Sequence, residues 1–169
     1  MELVETERLV LRHFTQDDAE FILKLLTEPG WKRYIGDRGV NTLEDARNYI
    51  DTALLASYAR HGFGLYAIEL KADRTLVGMC GLIKRDTLDD VDIGFALLSQ
   101  SERKGFAQEA VNATLTYARD ELGLRRVVAI TTNDNERSSR VLLRAGMHHE
   151  SDVQLAGEDV PLRLFAIVL

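Results

Sequence analysis

The chain holds a single cysteine, Cys80, so neither an internal disulfide nor a Cys-rich zinc site can form. That usage fits a reducing compartment, and the expected localisation is cytoplasmic. Proline is scarce, with two in 169 residues, and no Pro/Ser-rich linker, internal repeat or low-complexity tract interrupts the sequence. No domain boundary is expected, and residues 1–169 read as one domain. Cations are in deficit: 21 Lys and Arg face 27 Asp and Glu, giving a net charge of −6. A general nucleic-acid surface needs a concentrated positive field, so that partner class is disfavoured, although a small basic pocket for a phosphorylated ligand is not. No stretch approaches the ~18 apolar residues of a spanning helix. Glu2, Glu5 and Glu7 stand where a signal peptide would carry positive charge. The expectation is a soluble protein with no membrane partner.

What is present is ordinary globular material, 46% hydrophobic and 28% charged, long enough to bury a core unaided. The first strand is expected over Glu7 to His13. Thr15 and Asp18 have capping-box spacing, and the stripe Phe21, Ile22, Leu25, Leu26 then marks a helix stopped by Pro29 and Gly30. Thr42 and Asp45 open a longer helix that Gly62 ends. The period then changes. Phe63 to Leu70, Leu76 to Lys84 and Val91 to Leu98 read as strands joined by short turns, hence antiparallel neighbours. A helix from about Gly105 to Leu122 and an apolar strand, Val127 to Thr131, follow. Strand, helix, strand is a parallel crossover, right-handed by rule. A short helix, Glu136 to Ala145, and strands near His148 to Leu155 and Val160 to Val168 complete a mixed-sheet α/β fold.

Ligands of open α/β sheets sit beyond the C-terminal ends of parallel strands, where helices begin. The loop Ser101-Glu102-Arg103-Lys104-Gly105-Phe106-Ala107 lies at such a point. Amides at a helix N-terminus are unpaired, Gly105 permits close approach of a phosphate, and Arg103 and Lys104 add charge. The plain alternative is a helix start with two solvated cations. The loop is neither a Walker A sequence nor a Gly-x-Gly-x-x-Gly fingerprint.

Five segments in order resemble one family. They are Glu5 to Arg12, Asp92-Ile93-Gly94-Phe95-Ala96-Leu97, Lys104 to Ala110, Asn135-Glu136-Arg137-Ser138 and Arg144-Ala145-Gly146-Met147. Together they resemble the GNAT superfamily of acyl-CoA N-acetyltransferases, most closely the branch of ribosomal-protein N-terminal acetyltransferases (RimJ/RimL-like). The resemblance implies a mostly antiparallel central sheet whose one parallel strand pair splays open for the cofactor, flanked by about four helices. It implies acetyl-CoA as cosubstrate with no metal, and a peptide or small-molecule amine as acceptor. A backbone amide near Ala96, Leu97 and Leu98 would polarise the thioester, and Arg103 to Ala107 would hold the pyrophosphate. Arg140 and Arg144, with Arg137 on the same helical face, would meet the remaining phosphates or form an ordinary charged surface.

Two departures stand out. The family's phosphate loop usually opens Gln/Arg-x-x-Gly, commonly with a glycine second, where this chain has Glu102 and Arg103. Glu102 is expected to turn away from the phosphates. Leu142 occupies the place where many relatives carry a tyrosine acid. The ribosomal branch instead resembles Asn135-x-x-Ser138, making Ser138 the candidate acid and Asn135 a pantetheine contact; both would serve equally as helix-capping residues. Asp92 matches the strand position of a carboxylate base, or is a solvated strand end. Trp31, Tyr34 and Arg38, with Arg85, are expected to line the acceptor groove, although core packing explains the aromatics as well.

At neutral pH an α-amine of pKa ~7.7–8.0 costs only ~1 kcal/mol to deprotonate, and a lysine near 10.4 costs ~4.6. One carboxylate with no second base therefore suits an α-amine or another amine of lowered pKa. The expected activity is acetyl transfer by direct attack, with no covalent acyl-enzyme. A CoA-binding module without turnover is the alternative, and the sequence leaves monomer or homodimer open.

Overall fold

The computed structural model describes all of residues 1–169. Its strands are β1 (Glu2–Glu5), β2 (Leu9–Arg12), β3 (Leu65–Leu70), β4 (Leu76–Ile83), β5 (Asp92–Leu97), β6 (Arg126–Thr131), β7 (His148–Val153) and β8 (Leu162–Val168). The helices are α1 (Ala19–Leu26), α2 (Pro29–Tyr34), α3 (Leu43–Tyr49), α4 (Ala56–His61), α5 (Phe106–Asp120) and α6 (Glu136–Arg144). The strands form one sheet in the order β1-β2-β3-β4-β5-β6-β8-β7. Every neighbour is antiparallel except β5 and β6. No helix is long and apolar enough to cross a membrane.

Both capping boxes form. Thr15 and Asp18 cap the 3₁₀ turn Gln16–Asp18 that leads into α1, and Thr42 and Asp45 cap α3. Asp18 also takes two bonds from the Arg12 guanidinium, whose Nε reaches Glu69 at 2.7 Å, so one half-buried cation ties β2, β3 and the helix entry together. The two sheet faces carry separate cores. Ile93 packs with Val111, Leu115 and Phe165 on the α5 side, whereas Met79, Leu98, Ile22 and Leu54 pack on the α1–α4 side.

Three expectations change. The first strand is shorter than Glu7 to His13, because Thr6 closes a tight turn onto Leu9 and frees Glu2–Glu5 to add an edge strand. Pro29 does not merely stop a helix. It occupies the first turn of α2, where a missing N–H is harmless, and Trp31 to Tyr34 are helical rather than loop. The expected helix from Thr42 to Gly62 is one rod, but Ile50–Leu55 is a π turn, with the Ala56 amide donating to the Asp51 carbonyl. Gly62, at φ 79°, ends it in the left-handed conformation.

Candidate functional site

The parallel pair β5 and β6 meets at a single register position, Asp92 opposite Val128. The Val128 amide donates to the Val91 carbonyl, and beyond this point the strands part. The Leu98 amide donates to the Val77 carbonyl of the β4 side. Strand alternation therefore turns the amides of Phe95 and Leu97 toward β6, into the opening. Among Ala96, Leu97 and Leu98, only Leu97 presents its amide there; the expected role of Leu98 is excluded by its bond to Val77. The hydroxyls of Thr131 and Thr132, at the far end of β6, have no partner.

The opening belongs to a cavity of about 940 Å³. Asp92, Ala96, Leu97, Ala107, Asn135, Ser138, Arg140, Trp31, Tyr34, Arg38 and Arg85 all border it. Arg103, Lys104 and Gly105 are exposed at its edge, before the Phe106 turn. No protein acceptor takes the amides of Arg103, Lys104, Gly105, Phe106, Ala107 or Gln108, and the first intrahelical bond of α5 is the Glu109 amide to the Gly105 carbonyl. Six unpaired donors at the positive end of a fifteen-residue helix make an anion cradle. Gly105 has φ 82° and Arg103 φ 65°, so the loop demands left-handed backbone at a residue that is not glycine.

Residues outside the loop itself hold it. The Arg8 guanidinium donates to the Lys104 carbonyl at 2.8 Å, lies over the Phe106 ring and pairs with Glu109, which also accepts from Thr6. Arg8 and Glu109 are 101 positions apart, and no local pattern joins them. Glu102 does not turn away as expected. It lines the cavity and pairs with Arg137 of α6, bridging the cradle to the opposite wall. Arg144, in the last turn of α6, lies outside the cavity wall while Arg140 borders it.

Asp92 is 1% exposed and shares its sheet face with Ala96 and Leu98, the side of α1–α4. Its carboxylate accepts from Arg85 Nε at 3.0 Å. Burial pushes its pKa above the usual carboxylate range, against the opposing pull of Arg85 and Lys84. Tyr49, which the sequence did not single out, is raised by burial while Arg38 and Arg85 pull it down. Trp31 is 5% exposed and belongs to the core under this wall. Asn135 caps α6, accepting from the Ser138 amide at 3.2 Å, and the half-buried Ser138 hydroxyl makes no bond within the protein. Leu142 is fully buried. Cys80 is buried against Thr114, and burial pushes its thiol up to about 12, which leaves no nucleophile there.

A family model described as an acetyltransferase (GNAT) domain matches residues 8–148. The chain belongs to the GNAT acetyltransferases. It is 31% identical over 149 residues to an uncharacterized N-acetyltransferase, YoaA of Bacillus subtilis, covering 88% of this chain and 84% of that one. A GNAT-family acetyltransferase structure from Bacillus anthracis superposes with a TM-score of 0.82 at 28% identity, over 99% of this chain and 98% of that one. RimL, a ribosomal L7/L12 alpha-N-protein acetyltransferase solved with coenzyme A, shares the fold at TM-score 0.83 and 17% identity, over 100% and 98% of the two chains. In this GNAT domain the splayed strands present the free Phe95 and Leu97 amides, and the six free amides at the start of α5 suit a phosphate group.

Proposed function

We propose that the chain transfers an acetyl group from acetyl-CoA to a primary amine, a peptide or protein α-amine or a small-molecule amine, by direct attack and without an acyl-enzyme. The observation that carries this is the pairing of two features across one cavity. A buried carboxylate of raised pKa, Asp92, closes the splay, and an anion cradle opens at its other end. Acetyl-CoA supplies an activated acyl group when bound. The free amides of Leu97 and Phe95 face the place where a thioester carbonyl would lie and would polarise it. Asp92 accepts the amine proton, directly or through a water. Ser138, with an uncommitted hydroxyl, protonates or hydrogen-bonds the departing thiolate. Asn135 contacts the pantetheine arm, Arg140 meets a phosphate, and Trp31, Tyr34, Arg38 and Arg85 form the acceptor wall. The whole chain acts as one domain, in the cytoplasm, as monomer or homodimer.

The test is free-thiol release from acetyl-CoA across α-amine peptides, amino acids, polyamines and aminoglycosides, beside calorimetry of CoA binding. CoA binding with amine-dependent release supports the reading. Binding with no release above the background hydrolysis for any amine would make the domain a CoA-binding module.

A further inference from the structure

We propose that the acceptor carries a carboxylate, or an equivalent anionic group, within a few atoms of its amine, bound by Arg85, Arg38 and the Tyr49 hydroxyl. The proposal rests on the acetyltransferase reading of the same cavity and narrows its acceptor.

Arg85 spends only Nε on Asp92, and its two terminal nitrogens have no protein partner. A guanidinium is a rigid planar fork, so those two donors sit a few ångströms from the carboxylate that would take the amine proton. Arg38, on the connection from α2 to α3, makes no hydrogen bond or ion pair and borders the same space. Tyr49 borders the same cavity, its hydroxyl close enough for the charges of both arginines to pull its pKa down. That hydroxyl also lacks a partner. In a chain of net charge −6, Arg38 stays unpaired and Arg85 keeps two donors free beside the reacting end.

The wall that carries Tyr49 is built for this place. Tyr49, Ala53 and Ser57 recur every four residues and all border the cavity; Ile50 faces the core, and Leu54 packs into the core while also touching the cavity. An ordinary α-helix, at 3.6 residues per turn, would drift such a series by about 40° at each step. The wider π turn over Ile50–Leu55 keeps it in line, as π turns do at functional sites. Across the cavity, Glu158 on the β7–β8 connection has no ion pair and offers the opposite charge to an ammonium.

In a free α-amino acid the carboxylate lies two bonds from the nitrogen, which matches the short reach from Asp92 to the free Arg85 nitrogens. At an ordinary peptide N-terminus an amide takes that place and leaves both guanidinium groups unpaired. A peptide regains the anion only through an acidic first side chain. The shared chemistry is an amine with a nearby anion, and the two sources are separable by experiment.

The decisive comparison is kcat/KM for free α-amino acids against their carboxamides, and for peptides beginning with Asp against Asn. We expect the anionic member of at least one pair to be favoured about tenfold or more, because a charge-assisted bond is lost in the neutral one. Arg38→Met should erase most of that preference, read as the ratio of the two kcat/KM values within each pair. Preference in the amino-acid pair alone assigns a small-molecule acceptor; preference in the peptide pair alone assigns an acidic N-terminus. Equal use of both members in both pairs overturns the proposal. Calorimetry of N-acetyl amino acids and their amides on CoA-loaded protein decides it independently of turnover. If thiol release fails throughout but the acid still binds tighter by a similar factor, the acetyltransferase reading falls and the anion site stands. Equal binding of acid and amide, with no preference in the peptide pair, overturns it there too.

Discussion

Arg85 Nε lies 3.0 Å from Asp92 Oδ1, and the pair is asymmetric: the carboxylate side chain is 1% exposed and the guanidinium side chain 30%. Water reaches one partner and not the other. The acid therefore bears the desolvation, its pKa rises, and it becomes a usable base closer to neutral pH than a surface aspartate.

The activity should consequently have an acidic limb above the ordinary carboxylate range when a weakly basic amine is the acceptor. Arg85→Gln removes the charge that holds the Asp92 pKa down, so the limb should move to higher pH. A limb unmoved by this substitution would separate Arg85 from the base. Asp92→Asn should lower kcat by ~10²–10⁴-fold with CoA affinity nearly intact.

Stability should respond in the opposite direction to activity. The folded-state pKa of Asp92 is raised above 3.8, so its contribution is fully present below that value and is lost as pH rises through the folded pKa. Asp92→Asn escapes that loss. Its melting temperature should exceed the parent's at pH 7, and the difference should shrink as pH falls toward 4. Arg85, already partly hydrated, adds little cost when its partner is neutralised. A variant less stable than the parent at pH 7 would show that the ion pair outweighs the desolvation.

At the other end of the cavity, Gly105→Val should abolish tight CoA binding in a folded protein. A side chain at φ 82° is strained, and its Cβ would come within 3.2 Å of the Arg8 guanidinium that holds the loop. Circular dichroism with calorimetry checks fold and affinity together, and unchanged affinity would move the phosphate site elsewhere.

Glu102 puts a carboxylate on the cradle and engages Arg137 across the cleft. An incoming pyrophosphate must meet that negative charge, and Arg137 is committed until it does. Glu102→Gln should tighten CoA binding, by up to about fivefold given the small worth of partly exposed ion pairs. The gain should fall with added salt. Weaker binding would instead make Glu102 part of the loop's own scaffold.

Local signals were legible in the sequence and cross-chain ones were not. Thr15–Asp18 and Thr42–Asp45 announce helix starts because capping is settled within four residues, and Gly62 announces an end for the same reason. The π turn left no trace, since Ile50 and Leu54 satisfy an α-helical apolar pattern equally well. Asp92 and Arg85 were each singled out, but their contact depends on the β4–β5 register that sets Ile83 opposite Asp92. The Arg8–Glu109 anchor depends on packing β2 against α5, which no short window contains. Arg137, Arg140 and Arg144 looked alike as a stripe; only the tertiary structure distinguishes the member paired with Glu102, the member bordering the cavity and the member outside it.

The last prediction separates Ser138 from its neighbours on α6. Its backbone amide serves the Asn135 cap, but its hydroxyl has no partner and faces the cavity. Ser139 is the converse: its hydroxyl donates to the Asn135 carbonyl at 3.1 Å, accepts from Arg163 at 3.2 Å, and is buried. Ser138→Ala should therefore lower kcat by ~10²–10⁴-fold with little change in melting temperature or CoA affinity. Ser139→Ala should lower stability by ~1 kcal/mol and leave kcat nearly unchanged. Asn135→Ala should cost ~1 kcal/mol through the lost cap and weaken CoA as well. Chemistry must be rate-limiting for the comparison, which pre-steady-state thiol release establishes. If Ser138→Ala then turns over within about threefold of the parent, far inside the range of a positioned acid, the hydroxyl has no part in the reaction. The thiolate would depart unassisted, and with Leu142 sealed in the core the rate would rest on orientation and on the Leu97 and Phe95 amides.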